Sequence, residues 1–263
     1  MTCRRFGSQR VLPLTLATTL LVSLTVSTTV GVVVVMGLVA GVLLERGFGY
    51  GVAIFGGALP AILQSLAMVF FAQDLRPDEE LAKLVTQLEG MGLQMEDQGY
   101  SIHEIATLAL RLQPGMECVM GILSLLFAYR FGQILAPRFG LQLPPATAFR
   151  LWRPWDELIW AFIASLVLVL IGDGLLWNLG LNALLVVAVI YATHGAAVVR
   201  FYMARLGVPA LVELFVYLSL VFTVGISIPI LAAVGIVDTW FDWRRLRAPQ
   251  AQPEGDADGT SSL

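Results

Sequence analysis

VPALVELFVYLSLVFTVGISIPILAAVGIVDTW (Val208–Trp240) decides how this chain is read. Its 33 residues carry only Glu213 and Asp238 as charges, and the run FDWRR (Phe241–Arg245) follows directly. As one straight helix the stretch would be about 50 Å long, against a hydrocarbon core of about 30 Å. Tilt alone would have to exceed about 50°, outside the range of roughly 0–40° that helices adopt. The stretch therefore reads as two short crossings, 208–223 and 225–241, hinged near Gly225 and Pro229.

The composition agrees. Of 263 residues, 57% are hydrophobic and only 13% charged, where a soluble domain carries about 25% charged residues. Several apolar runs reach spanning length, which predicts an all-α, polytopic transmembrane bundle. The runs are continuous rather than alternating, so they do not describe a β-barrel. The net charge is -3 and no basic face marks a nucleic-acid partner. Cys3 and Cys118 lack metal or disulfide-framework spacing and read as two unpaired thiols.

Outward from the closing stretch, the opening one poses the same problem. Val11–Leu44 has 34 residues, about 51 Å as a helix, and Thr28, Thr29 and Gly31 mark its middle. It splits into crossings at 11–28 and 30–45 behind a basic N-terminus, 1–10, and the run is too long for a signal peptide, so it reads as an uncleaved first anchor. A third crossing at 50–72 carries Pro60 and completes transmembrane region 11–72.

Residues 73–115 are acidic and amphipathic. Leu81, Leu84, Val85 and Leu88 form one helical stripe, and Ile105, Leu108, Ala109 and Leu112 a second, introduced by the capping box Ser101–Glu104. This predicts a helical hairpin outside the lipid. Crossings at 116–135, 157–175 and 179–203 follow, separated by a proline-broken connector, 136–156, and the final pair completes region 116–246. The tail, 247–263, is rich in Pro, Gly and acid and reads as disordered.

Charge orients this scheme. Three Lys or Arg lie in 73–115 beside eight acids, and thirteen arginines lie elsewhere. With both long stretches folded back as pairs, all of those arginines gather on one face and the acidic segment on the other. Positive charge retained on the cytoplasmic side then predicts eight crossings in a bacterial inner membrane, with both termini cytoplasmic.

Few side chains carry chemistry. Glu117 and Asp173 fall at outer helix ends, Glu213 and Asp238 near the inner face. Each has a plain reading as a solvated or interfacial group. Asn182, Tyr191 and His194 share one helix; Asn182 and His194 are twelve residues apart, within roughly 120° of one another around the axis. They form a possible ligand seam with Glu213, or hydrogen-bonding glue between helices. Small-residue spacings at Gly37/Gly41, Ala53/Gly57 and Gly57/Ala61 suit close helix packing. There is no P-loop and no hydrolase or metalloprotease motif, so neither an enzyme nor a cofactor is expected.

The run NALLVVAVIYATHGAAVVRFYMARLGVP (Asn182–Pro209), the apolar pair after it and GIVDTWFDWRRL (Gly235–Leu246) resemble the YybS-like family of bacterial integral membrane proteins. The resemblance covers about 178–246, and its most specific piece is Asp238, Trp240, Phe241, Asp242 and Arg244. That family is remotely similar to the substrate-binding S components of energy-coupling-factor transporters, which implies a ligand-holding subunit that docks on an energising module. It is similarly distant from the rod-shape protein MreD, which implies a scaffold for membrane or cell-envelope partners. Physically, FDWRR reads as an interfacial lock. Trp240 and Trp243 lie among headgroups, Arg244, Arg245 and Arg247 meet anionic lipid, and Asp238 and Asp242 pair with Arg245 or with arginines of 200–205.

Overall fold

A computed structural model describes residues 28–71, 78–90, 101–139, 143–145 and 148–246. The expected first crossing at 11–28, all but its last residue, the N-terminus, residues 91–100 between the two amphipathic stripes and the tail lie outside these residues. Among the described residues, eight α-helices run in the order α1 (Thr28–Glu45), α2 (Tyr50–Phe71), α3 (Asp78–Gly90), α4 (Ile102–Leu135), α5 (Leu158–Ile171), α6 (Leu175–Arg205), α7 (Ala210–Phe222) and α8 (Val224–Phe241). No strand occurs among the described residues. The fold is an all-α bundle of apolar helices. The helices Tyr50–Phe71, Ile102–Arg138, Leu175–Arg205 and Val224–Phe241 are long and apolar enough to cross a membrane.

The chain divides into two compact units. One comprises the described residues of Met1–Thr147 with Glu157–Ile190; the other comprises Ala148–Asp156 with those of Tyr191–Leu263.

In the first unit, α1, α2 and α4 pack against one another. Their shared core is Met36 and Ala40 from α1, Ala61 from α2, and Cys118 and Leu125 from α4. A Cβ at Gly57 would stand 2.9 Å from the Ala40 Cβ and 2.9 Å from Leu125 Cδ2. The Ala53–Gly57–Ala61 spacing therefore serves internal packing, where helix association in lipid depends on close van der Waals fit. Gly37 and Gly41 do not share this role: nothing described lies within 4 Å of a Cβ at either.

The boundary expected at 115/116 is not an interruption. The second amphipathic stripe and the crossing after it form one 34-residue helix, α4, about 51 Å long. Its capping box is present: Ser101 Oγ accepts from Glu104 N at 3.2 Å, and Glu104 Oε2 accepts from Ser101 N at 3.1 Å. Pro114 lies inside it and removes one ladder donor. Beside that weak point the Asn182 carboxamide of α6 accepts from Gly115 N–H at 2.7 Å and donates to the Arg111 carbonyl at 2.9 Å. It donates also to Asn178 O, 2.8 Å away. Gly115 is required for this approach, since a Cβ there would stand 2.9 Å from Asn182 Oδ1. Asn182→Leu is expected to cost about 1–3 kcal/mol, the usual penalty for stranding a buried backbone donor. Thermal unfolding of the detergent-purified protein checks this, and an unshifted midpoint would refute it.

The proline-broken connector is pinned rather than free. Tyr129 Oη and Gln133 Nε2 of α4 donate to the Pro144 carbonyl at 2.7 and 3.0 Å.

In the second unit, α6 closes with Gly207 at φ +68° and Val208 N–H on the Met203 carbonyl at 3.0 Å, the usual left-handed glycine stop. The closing stretch is indeed two helices, and the break, at Thr223, agrees with the expected 208–223 and 225–241; it lies two residues before Gly225, and Gly225 and Pro229 are both inside α8. Thr223 serves both helices there: its N–H bonds the Ser219 carbonyl, and its hydroxyl donates to the same carbonyl at 2.7 Å. It also lies 2.8 Å from Ser227 Oγ. Local hydroxyl bonding of this kind satisfies backbone groups that a helix end leaves over. Helix α7 has 13 residues, about 20 Å, and α5 has 14, about 21 Å. Both are shorter than the hydrocarbon core.

Candidate functional site

The second unit contains a buried ionic cluster made by three pieces of chain. Helix α6 supplies His194, α8 supplies Asp238 from its last turn, and the hook after α8 supplies Arg244. Close helix contact comes first. A Cβ at Gly195 would collide with the Leu231 carbonyl, and one at Gly235 with the Tyr191 carbonyl. Only glycine at both positions lets the α6 and α8 backbones touch, and this contact sets His194 beside Asp238.

The hook depends on Asp242. It caps α8 with φ 43° and ψ 51°, and Arg245 has φ 52°, two left-handed residues that are not glycine. Short acidic side chains tolerate this region by bonding locally. Here Asp242 Oδ1 accepts from Leu246 N–H at 3.1 Å and lies 3.6 Å from Arg153 Nη1. The Trp243 carbonyl accepts from Tyr202 Oη at 3.2 Å. The chain thus reverses and returns Arg244 to α8.

Arg244 is then fully engaged. Its Nε and Nη2 lie 3.0 and 2.9 Å from Asp238 Oδ2. Its Nη1 donates to the Arg150 carbonyl at 2.9 Å and the Trp152 carbonyl at 3.2 Å. Its Nη2 reaches the Trp152 carbonyl at 3.2 Å and His194 Nε2 at 2.6 Å. A guanidinium has five donors in a rigid fork, and every one faces an acceptor. The loop 148–156 is gripped through its main chain. Arg153 adds a second tie, to the Thr239 carbonyl at 3.4 Å and to Asp242 at 3.6 Å.

Two contacts compete at His194. Its Nε2 lies 2.6 Å from Arg244 Nη2 and 3.1 Å from Asp238 Oδ2. Arginine can only donate, so the shorter contact makes Nε2 the acceptor and places the imidazole proton on Nδ1. The network assigns a neutral tautomer in this way. The side chains of His194 and Asp238 are 0% and 1% exposed. Among the described residues, His194 Nδ1 and Asp238 Oδ1 have no hydrogen-bond partner. Trp152 meets the imidazole edge-on at 6.3 Å between ring centres, and Tyr191 lies tilted at 6.5 Å.

The expected site residues therefore separate. Tyr191, His194, Asp238 and Arg244 come together. Asn182 belongs to the first unit, where its amide is used on α4. Glu213 forms an ion pair with Arg200. Asp238 pairs with Arg244, not with Arg245 or the 200–205 arginines, and Asp242 pairs with Arg153. Arg244 itself is buried rather than turned to lipid, because the hook folds it inward; Trp240, Phe241 and Trp243 stay exposed. The carbonyls of Arg150 and Trp152 could not be found from sequence, since any residue type presents the same acceptor. Arg153 carried a signal in its charge between Trp152 and Trp155, but none that named Asp242. No group of His, Cys, Asp and Glu among the described residues fits a metal ion.

The sequence matches the model of a family described as predicted membrane protein (DUF2232) over residues 1–239. The chain belongs to this membrane protein family. The match includes His194 and Asp238 and ends before Arg244. No curated protein and no solved structure matches the chain.

Proposed function

We propose that this member of the family is a transporter-type membrane subunit that binds a small ligand and depends on a separate module for energy. The observation that carries this reading is the ionic cluster of His194, Asp238 and Arg244. Ionisable groups inside membrane helices are rare and mark ligand, ion or proton pathways. Arg244 has no donor left over, so a ligand would meet Asp238 Oδ1, an acceptor, and His194 Nδ1, a donor. The missing P-loop agrees with an outside energy source, and the protein has no catalysis of its own. The resemblance to the YybS-like family, and through it to S components, points the same way. In this reading the chain crosses a bacterial inner membrane eight times, with 73–115 outside and both termini cytoplasmic.

The test is pull-down from native membranes, with mass spectrometry of partners and of retained small molecules. An ATPase pair among the partners supports the reading. His194→Ala should abolish retention of the small molecule while the protein elutes as a folded species, and His194→Gln, which keeps an acceptor for Arg244, separates ligand loss from damage to the latch. Retention equal to wild type in both variants removes the cluster from the site.

A second reading, a scaffold for membrane or cell-envelope partners, is favoured by one observation. Asn182 and Glu213, the other polar groups expected to line a cavity, are already committed within the fold. Recovery of cell-envelope proteins without a retained small molecule would decide for it.

A further inference from the structure

A groove of about 230 Å³ lies in the first unit, lined by His103, Glu104, Thr107, Leu108 and Arg111 of α4 and Trp177 of α6. His103, Thr107 and Arg111 are spaced four apart and so share one face of the helix. The Arg111 guanidinium sits 5.4 Å from the centre of the Trp177 ring. It has no ion pair among the described residues. The Asn182 amide bonds the Arg111 carbonyl, which ties the backbone of this residue to the helix that carries Trp177. The Thr107 hydroxyl is spent on the His103 carbonyl at 2.8 Å, and Glu104 on the helix cap. Arg111 and His103 are left as the donors.

The depth of the groove follows from the apolar stripe below it. Met116, Met120, Leu123, Phe127, Phe131 and Ile134 are all exposed on α4, at spacings of three and four. From Met116 to Ile134 this stripe is about 27 Å long, which matches the hydrocarbon thickness. Arg111 stands five residues above its upper edge, about 7–8 Å, at headgroup level. Tryptophan is enriched at the same level.

We infer that the groove binds the phosphate of an anionic phospholipid headgroup, held by the Arg111 fork with the Trp177 indole at its back. A guanidinium presents paired N–H groups that match phosphate oxygens. Stacking on Trp177 restrains the fork without using its donors. Leu108, exposed beside it, offers the apolar wall that a lipid needs and a free phosphate does not.

The test is native mass spectrometry of the full chain in detergent, titrated with phosphatidylglycerol or phosphatidylcholine. The wild type should retain phosphatidylglycerol preferentially. Arg111→Gln should weaken that retention about five-fold, the effect of one basic side chain at a membrane surface. Trp177→Leu should weaken it as well, and Arg111→Lys should fall between, keeping the charge without the fork. Arg111 is exposed, so its substitutions leave the helix packing intact. Retention equal to wild type in Arg111→Gln and Trp177→Leu overturns the site. Displacement of the lipid by millimolar inorganic phosphate would assign the groove to free phosphate and overturn its assignment to a lipid.

Discussion

Asp238→Ala is expected to destabilise the second unit by about 3–5 kcal/mol, because it strands a buried guanidinium. The Arg244 side chain is 0% exposed and cannot turn out to solvent without releasing the Arg150 and Trp152 carbonyls. The loss should show as a large fall in melting temperature in detergent and as new protease cleavage in 148–156. The charge, more than the lost volume, drives the effect, which a second variant isolates. Asp238→Leu with Arg244→Leu removes both charges, and replacing a whole buried pair by apolar residues is often close to neutral. The double variant should therefore melt well above Asp238→Ala, though below wild type, since the two loop carbonyls lose their donor. A double variant no better than the single one would mean that the charge pairing is not what matters.

The second large effect is expected at Gly235. Adding one methyl group there drives a Cβ into the Tyr191 carbonyl, and backbone cannot rotate away as a flexible side chain would. Overpacking costs about 1–3 kcal/mol in typical cores and more where nothing yields; Gly235→Ala belongs at the upper end. Helix α8 contains its own control. Nothing described lies within 4 Å of a Cβ at Gly225, so Gly225→Ala keeps the packing and gains helix propensity, up to about 1 kcal/mol. Gly235→Ala should also separate His194 from Asp238 and remove any small ligand retained by wild type. Equal melting of the two alanine variants would refute close contact between α6 and α8.

Length, hydropathy and charge made much of this architecture legible. Val208–Trp240 was too long for one crossing and is two helices; Ser101 and Glu104 spelled a cap that is present. The break fell where the lengths of the two crossings put it, but Gly225 and Pro229, strong breakers in general, lie inside the second helix; at the bend itself the Thr223 hydroxyl takes the Ser219 carbonyl and meets Ser227 Oγ. The fusion of the insert with the next crossing was hidden because Pro114 and Gly115 read as a stop. Their support comes from Asn182, 67 residues away from Gly115 in the chain. The same holds for the candidate site. His194 and Asp238 stood out as ionisable groups in greasy surroundings, but their distance apart depends on Gly195 and Gly235, whose contact no periodicity reveals. Arg244 read as a lipid anchor because arginines after a span usually are; the left-handed turn at Asp242 that folds it inward follows from side-chain bonds to Leu246 and Arg153.

Arg244 holds the loop by oxygen atoms that every amino acid possesses. Exchange of the side chain at position 150 leaves that grip untouched, so evolution is free to drift there while Asp238 and Arg244 must change together. Covariation across relatives should accordingly report the carboxylate–guanidinium pair and stay silent about the loop, although the loop accepts three of the guanidinium's hydrogen bonds and the carboxylate and imidazole two between them.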